Sequence, residues 1–189
     1  RRSSDLLKHR SMLINVSRFT DVQNRLSGVV KNYVYELTEE IKQYLAADAL
    51  WSRHDLLKEL HETWELHFAD AGISWNEIRK ALYSSISSVK TVTINQKTEE
   101  TEKLNYTQHP AGRRVIAIGG LTLSRGLTLE GLSTSYFYRN PKAYDTLLQM
   151  GRWFGYRSGY EDLCRVWAAE DAQEWFEHIA DVVDELRLD

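Results

Sequence analysis

Cysteine and proline are scarce in this sequence. Its 189 residues include one cysteine, Cys164, and two prolines. A single cysteine closes no internal disulfide and builds no metal site by itself, which excludes disulfide-stabilised secreted domains and cysteine-based zinc motifs. A signal peptide and apolar runs long enough to cross a bilayer are also missing. We therefore expect a cytoplasmic protein with no membrane partner.

The sequence also lacks a large excess of basic or of acidic residues. The chain has 24 basic and 27 acidic residues and a net charge of −3. This balance argues against a surface that is basic throughout, although it allows local basic patches. The sequence also has no glycine-rich loop ending in lysine, the motif that holds nucleotide phosphates. Because it begins at Arg1 without a methionine, we expect a part of a larger protein.

Hydrophobic periodicity predicts an α/β fold. A buried strand at 11–17 precedes a helix that Thr20 or Asp21 caps and that runs to about Leu45. The apolar side of this helix is predicted to hold Val22, Leu26, Val29, Tyr33, Leu37, Ile41 and Tyr44. Further strands are predicted at 88–96, 114–118, 134–138 and 163–167, with helices at 143–153 and 170–186. Strands that alternate with helices favour a parallel sheet of about five strands, covered on both faces.

Residues 46–88 have the pattern of two amphipathic helices. Apolar residues recur at three- and four-residue steps: Leu56, Leu60, Trp64 and Phe68, then Trp75, Ile78, Leu82 and Ile86. Ser74 and Glu77 have the spacing of a capping box before the second helix. We therefore predict a helical hairpin inserted at 46–88, between the first strand and helix at 1–45 and the remainder of the α/β domain at 89–189.

A glycine-rich segment follows the strand predicted at 114–118. Its candidate site residues are the glycines, an arginine and hydroxyl residues: Gly119, Gly120, Gly126, Arg125, Ser124 and Thr128. Open α/β sheets bind ligands beyond the carboxyl ends of their strands. Glycine lets a backbone approach a phosphate closely, and hydroxyl groups can donate hydrogen bonds to it. The alternative is a tight turn that carries a surface arginine.

Two arginines lie at the end of a predicted helix. Gln149 and Arg152 are three residues apart and share one helix face. Gly155 can end the helix and turn Arg157 back towards it, while Gly151 inside the helix indicates close packing. Guanidinium groups suit the charge that develops on a transferred phosphoryl group. The alternative is that one of the two arginines only complements the dipole at the helix end.

Several weaker features remain. Arg18 after the first strand, and His9 and Arg10 before it, could contact nucleic-acid phosphate or be ordinary surface charges. The tryptophans of 46–88 could present a docking surface, although packing of the hairpin is the more ordinary use. No metal site is predicted, because the histidines of this segment have no cysteine near them.

These motifs carry a family resemblance. VIAIGGLTLSRGLTLEGL at 115–132 and YDTLLQMGRWFGYRSGYEDLCRVW at 144–167 resemble the signature of the Z-one domain family, which has been described as a family of endonucleases. SMLINVSRFTDVQ at 11–23 resembles the opening segment of the same family. The family is similar to the second RecA-like half of superfamily-two helicases. The resemblance therefore implies a RecA-like sheet with the helical hairpin inserted in it.

The resemblance also implies roles for single residues. Ser124, Arg125 and Gly126 correspond to the fifth helicase motif, and Gln149, Gly151, Arg152 and Arg157 to the sixth. Together with the residue patterns described above, this gives the predicted roles: catalysis by Arg152, Arg157 and Gln149, nucleotide binding by Gly119, Gly120, Gly126 and Gly151, and DNA binding by Ser124, Arg125, Thr128 and Arg18. The usual sixth motif spaces its arginines three apart, whereas Arg152 and Arg157 are five apart. Either one is therefore a candidate for the arginine finger.

A larger parent protein follows from the same resemblance. It would be an ATP-driven DNA motor of a bacterial restriction, phage-defence or repair system, and its amino-terminal half would carry the phosphate-binding loop. ATP and Mg²⁺ are then cofactors of the full-length protein, while the 189-residue part alone is inactive. The expected partners are that P-loop ATPase domain, DNA, and a nuclease or methyltransferase subunit.

Two rival functions stay open from the sequence. One is a metal-dependent nuclease, which needs clustered carboxylates. The only Glu-x-Lys run joins Glu40 to Lys42 on a predicted helix, and nothing else converges with it. The other is a DNA- or protein-binding module without chemistry.

Overall fold

The computed structural model describes residues 9–44, 51, 54–95, 104–120, 129–138 and 161–170, and the later positions 173, 174, 177, 178, 181 and 185. Within these residues the fold is built on one five-stranded sheet. The strands are β1 (Arg10–Asn15), β2 (Val89–Ile94), β3 (Arg114–Gly119), β4 (Leu132–Phe137) and β5 (Arg165–Ala168). Their spatial order is β2-β3-β1-β4-β5, and every neighbouring pair is parallel. The predicted α/β fold with a parallel sheet of five strands is confirmed.

Within the part of the chain that the structure describes, three long helices accompany the sheet: α1 (Thr20–Tyr44), α2 (Asp55–Phe68) and α3 (Trp75–Ile86). The bounds of α1 agree with the prediction to within one residue. The predicted capping box is also present at the start of α3. There the Ser74 hydroxyl accepts a hydrogen bond from the Glu77 N–H, and the Glu77 carboxylate accepts one from the Ser74 N–H at 3.0 Å. The hydrogen bonds from Ser74 hold the pKa of Glu77 below its usual range.

The buried side of α1 differs from the predicted one. Two residues of the predicted apolar side are buried, Leu37 and Ile41, and three are exposed, Val22, Val29 and Tyr33. In the first half of the helix Gln23 and Ser27 are buried instead. Gln23 and Ser27 each follow a residue of the predicted apolar side, and one residue corresponds to a rotation of about 100° around the helix axis. The first half of α1 therefore packs against the protein with a polar side. At the start of this half, the Gln23 amide donates a hydrogen bond to the Ser17 carbonyl oxygen of the loop after β1.

Among the described residues, two clusters of buried apolar side chains form the core. One cluster lies on the sheet and contains Leu13, Ile94, Val115, Ala117, Leu132 and Phe137. The other contains Leu37, Ile41, Trp51 and Leu57, and partly buried side chains of α3 such as Trp75 and Leu82 pack against it. The tryptophans of the helical pair contact one another, with ring centroids 5.8 Å apart for Trp51 and Trp75 and 5.7 Å apart for Trp64 and Trp75. Trp51 is buried and the other two are partly buried, which favours core packing of the hairpin over a docking surface.

Small differences in the strand bounds have local causes. β4 begins at Leu132, two residues earlier than predicted, because Gly131 adopts a positive φ of 67° that turns the chain directly into the strand. β5 begins at Arg165, because a short 3-10 turn at Glu161–Leu163 precedes it. Cys164 therefore lies just before the strand and is partly buried, not enclosed in the core. The helix predicted at 143–153 falls outside the described residues, and the described positions from 170 to 185 are helical.

Candidate functional site at the carboxyl edge of the sheet

The carboxyl ends of the three central strands lie side by side. Asn15, the last residue of β1, is the register partner of Gly119 in β3 and of Phe137 in β4. The N–H of Tyr138 donates a hydrogen bond to the carbonyl oxygen of Asn15 at 3.1 Å, which holds the exit of β4 against the exit of β1. Ligands of open α/β sheets bind beyond this edge. The fold therefore places the end of β3 and the loop after β1 where a ligand would be bound.

The loop between β1 and α1 presents a positive charge at this edge. Arg18 is exposed, and its guanidinium carbon lies 5.0 Å from the ring centroid of Phe19. Phe19 is 60 % exposed, and its N–H donates a hydrogen bond to the Ser17 hydroxyl at 3.1 Å. α1 begins immediately afterwards, so the positive end of its dipole faces the same side. A loop with these features suits an anionic group such as a phosphate.

Gly120 packs directly against that loop. A Cβ atom at this position would overlap the carbonyl oxygen of Ser17, and it would lie 3.2 Å from the Cα of Arg18 and 3.0 Å from Nε2 of Gln23. The φ of Gly120 is not positive, so a lack of space and not a special backbone conformation requires glycine here. The segment that leaves β3 and the loop that carries Arg18 are therefore in direct contact.

Gln23 holds the loop from the side of α1. Its side chain is 2 % exposed, and its Nε2 donates a hydrogen bond to the carbonyl oxygen of Ser17 at 2.7 Å. Gln23 Oε1 and, one turn later, Ser27 Oγ are buried without a hydrogen-bond partner. The sequence pattern does not single out Gln23, because it lies beside the apolar stripe of α1. The signal that could have found it is a polar residue four positions after a Ser-Arg-Phe loop, within reach of that loop's carbonyl groups.

One comparison with known proteins identifies the family. The sequence model of the Z1 (Z-one) domain family matches residues 1–189. The chain belongs to the Z1 domain family. The family resemblance drawn from the sequence is thus confirmed, whereas the further resemblance to RecA-like helicase domains stays a prediction. Searches of curated proteins and of solved structures gave no match.

The structure of this Z1 domain brings together three of the residues predicted to be functional. Gly119, Gly120 and Arg18 lie at the same edge of the sheet, and Gly120 contacts the backbone at Arg18. The other predicted site residues lie outside the described part of the chain: Ser124, Arg125, Gly126, Thr128, Gln149, Gly151, Arg152 and Arg157. Their roles in DNA binding, nucleotide binding and catalysis stay predictions.

Carboxylates do not cluster within the described residues of the Z1 domain. Among those residues no group of three or more His, Cys, Asp or Glu side chains could hold a metal ion. Glu40, the residue that the nuclease hypothesis depends on, lies in the second half of α1, and its Oε2 is buried without a hydrogen-bond partner. None of the described helices is both long enough and apolar enough to span a membrane.

Proposed function

We propose that this Z1 domain is the carboxyl-terminal, RecA-like half of a helicase-like, ATP-dependent DNA motor of a bacterial restriction, defence or repair system. In this proposal ATP binds in a cleft between the Z1 domain and an amino-terminal P-loop ATPase domain of the same parent chain. The Z1 domain supplies arginines that complete the ATP site, and it contacts the DNA backbone. A nuclease or methyltransferase subunit is proposed as a further partner.

One observation carries this proposal: Gly120 is in contact with the loop that carries Arg18. A motor must couple a nucleotide site to a DNA contact, and coupling travels through packed elements that move together. The Gly119–Gly120 end of β3 leads into the segment that the proposal assigns to the nucleotide and to DNA. Arg18 lies on the adjacent loop, exposed and next to the positive end of α1. A shift of the backbone at Gly120 would therefore be transmitted to Ser17 and Arg18.

The remaining roles follow the family resemblance. Arg152, Arg157 and Gln149 would act on the phosphoryl group of ATP, with Gly126 and Gly151 allowing close approach of the backbone. Ser124, Arg125 and Thr128 would bind DNA phosphates beside Arg18. ATP supplies the phosphoryl group whose transfer drives such a motor, and Mg²⁺ neutralises its charge. The described residues hold no carboxylate cluster for Mg²⁺, which fits a metal site on the P-loop half.

The DNA contact is tested by replacing Arg18 in the isolated domain. Arg18→Ala should weaken binding of a DNA duplex without regard to its sequence, and the slope of log K against log salt should fall by about 1, because one phosphate contact is lost. Arg25→Ala is the matched control, since Arg25 is an exposed arginine within α1. Equal binding and equal salt slopes in Arg18→Ala and the parent domain would remove the DNA contact from the proposal.

A separate experiment tests whether ATP hydrolysis needs both the Z1 domain and the P-loop domain. The isolated Z1 domain should show no ATP hydrolysis and no tight ATP binding, whereas the parent protein should hydrolyse ATP in the presence of Mg²⁺. Turnover of ATP by the isolated domain would contradict the half-site arrangement. Magnesium-dependent cleavage of DNA by the isolated domain, abolished by Glu40→Ala, would support the nuclease instead.

A further inference from the structure

Aromatic side chains lie exposed on one face of the sheet, on β5 and at the end of β4. Tyr136 of β4 and Trp167 of β5 are register partners in neighbouring parallel strands, so their side chains lie side by side. The Tyr138 N–H donates a hydrogen bond to the carbonyl oxygen of Asn15, which continues the pairing of β4 with β1 and places Tyr138 on the same face as Tyr136. The exposed fractions are 40 % for Tyr136, 42 % for Trp167 and 68 % for Tyr138. These three residues are called the aromatic face.

The core on the sheet is built from the other side of the same two strands. Strand alternation places Phe137 of β4 and Ala168 of β5 on the face opposite the aromatic face. Phe137 belongs to the apolar cluster on the sheet, and Ala168 packs against that cluster. Tyrosine and tryptophan rings carry a large apolar surface, and such surfaces mark binding sites when they stay exposed together. The aromatic face is therefore a candidate binding surface.

The end of α2 holds one edge of the aromatic face in place. The ring of His67 meets the ring of Trp167 edge-on, with centroids 5.0 Å apart. Two residues before Trp167, Nη1 of Arg165 donates hydrogen bonds to the carbonyl oxygens of Asp162 and Cys164, both at 2.9 Å. Nη2 of Arg165 donates another to the carbonyl oxygen of His67. Because these contacts join β5 to α2, the Trp167 ring is oriented before a ligand arrives, which lowers the entropic cost of binding.

A positive charge lies at the same edge of the sheet as Tyr138. Asn15, whose carbonyl oxygen accepts the hydrogen bond from Tyr138, precedes Arg18 by three residues. Three residues of chain span at most about 11 Å, so the backbone at Arg18 lies no further than that from Asn15. Arg18 is exposed, and its guanidinium group lies over the exposed ring of Phe19. Exposed rings and a cation therefore occur together at the carboxyl edge.

We propose that the aromatic face binds an unpaired nucleic-acid strand, whose bases stack on Tyr136, Tyr138 and Trp167 and whose phosphates extend to Arg18. The inference rests on the DNA contact of the proposed function and names the form of DNA that is bound. An unpaired strand can place the flat faces of its bases on aromatic rings, whereas the bases of a duplex are stacked on one another. The charge of Arg18 complements the phosphates, which favours a nucleic acid over an apolar protein partner.

Single-stranded and duplex DNA of equal length distinguish stacking from a contact to phosphate alone. The probe is a labelled oligothymidylate of about 12 nucleotides, and its binding to the 189-residue chain is followed by fluorescence anisotropy. We expect the single strand to bind more tightly than the duplex. Tyr138→Leu should weaken binding of the single strand by roughly 5- to 100-fold, because one stacked base is lost, whereas Tyr138→Phe keeps the ring and should bind like the parent chain. Tyr35→Leu is the matched control, since Tyr35 is a tyrosine of α1 that is 67 % exposed.

Two further measurements separate stacking from charge and locate the bound strand. The slope of log K against log salt should be the same for Tyr138→Leu and the parent chain, because no phosphate contact is lost, whereas Arg18→Ala should lower it by about 1. The oligothymidylate should quench tryptophan fluorescence, and Trp167→Phe should reduce the quenching while its affinity stays close to that of the parent chain. Circular dichroism spectra verify that each variant is folded.

Each result supports or overturns the inference. Equal affinities for single strand and duplex, or unchanged binding of the single strand by Tyr138→Leu, would overturn it. If duplex binding that depends on Arg18 persists in that case, the DNA contact of the proposed function stands without the aromatic face. Failure of both DNA forms to bind would overturn the inference and the DNA contact together. Self-association that Tyr138→Leu abolishes, without binding of the oligothymidylate, would assign the aromatic face to a second copy of the chain instead.

Discussion

Gln23 and Ser17 are joined by a hydrogen bond from the buried amide Nε2 to a loop carbonyl oxygen at 2.7 Å. This bond fixes the loop that carries Arg18 to the first turn of α1. The same carbonyl oxygen is the atom that a side chain at position 120 would overlap. The loop after β1 is thus held between α1 and the end of β3, and its position depends on both.

Loss of the Gln23 amide should destabilise the domain and free the loop. Gln23→Ala removes a buried hydrogen bond and leaves the Ser17 carbonyl oxygen without that partner, so we expect the free energy of unfolding to fall by about 1–3 kcal/mol. Urea denaturation followed by circular dichroism measures this change. Asn24→Ala, at the exposed neighbouring position, should change it by less than about 0.5 kcal/mol. Equal effects of the two substitutions would show that the hydrogen bond is unimportant.

Two glycine-to-alanine substitutions should have opposite effects on stability. Gly120→Ala places a methyl group against the backbone of the β1–α1 loop and should cost about 1–3 kcal/mol, as overpacking does. Gly28 is exposed within α1, and a Cβ there meets nothing within 4 Å. Gly28→Ala should therefore stabilise the domain by about 0.5–1 kcal/mol through helix propensity. Thermal unfolding of the two variants and of the parent chain measures both effects. A Gly120→Ala domain as stable as the parent chain would refute the close packing at that site.

Tyr106 should make the stability of the domain sensitive to alkaline pH. Its hydroxyl lies 2.8 Å from the Ser11 hydroxyl, its ring packs edge-on to His9, and burial raises its pKa. A group whose pKa is raised on folding binds its proton more tightly in the folded state. The resulting stability is present below the unfolded pKa of about 10 and is lost as pH rises from there through the folded pKa.

The Tyr106→Phe variant separates the contribution of Tyr106 to the pH dependence of stability from that of the other tyrosines. At neutral pH it should lose about 1 kcal/mol with the hydrogen bond, and above about pH 10 its free energy of unfolding should fall less steeply than that of the parent chain. Urea titrations between pH 7 and 11 measure both effects. Tyr35→Phe, at a ring that is 67 % exposed, is the control for the removal of one phenol. Parallel curves for the parent chain and Tyr106→Phe would contradict the prediction.

The two candidate arginine fingers can be distinguished in the parent protein. If Arg152 or Arg157 stabilises the transition state, its replacement by alanine should lower kcat for ATP hydrolysis by roughly 10³- to 10⁵-fold. Replacement by lysine should restore little, because lysine lacks the planar donor fork. Steady-state ATPase assays with DNA present measure the effect. Rates that match the parent protein in both alanine variants would exclude a finger at either position.

Most of the fold could be predicted from the sequence because its elements have strong local signals. The apolar runs at β1 and β3 and the periodic pattern of α1 give their bounds to within about two residues. The capping box at Ser74 is recognisable because it involves two residues only three positions apart. The Z1 family itself is identifiable from the segments that surround Gly119 and Arg152.

The sequence pattern was wrong about the first half of α1 for a physical reason. Periodicity ranks residues by hydrophobicity, so it placed Val22 and Val29 on the buried side. The folded chain buries Gln23 and Ser27 there. Gln23 is buried because its amide donates a hydrogen bond to the Ser17 carbonyl oxygen of the neighbouring loop, a contact that a ranking by hydrophobicity does not include. Only the folded structure shows that Gly120 packs against the loop at Ser17, and the predicted approach of its backbone to a phosphate stays a prediction.

The sequence by itself determined the α/β class and the family, since both depend on residue type and local spacing. Only the tertiary structure decided the order of the strands, the contact of Gly120 with the Arg18 loop, and the register that aligns Arg10 of β1 with Arg114 of β3. Those relationships join residues about a hundred positions apart. They depend on how parallel strands align, which no local pattern in the chain records.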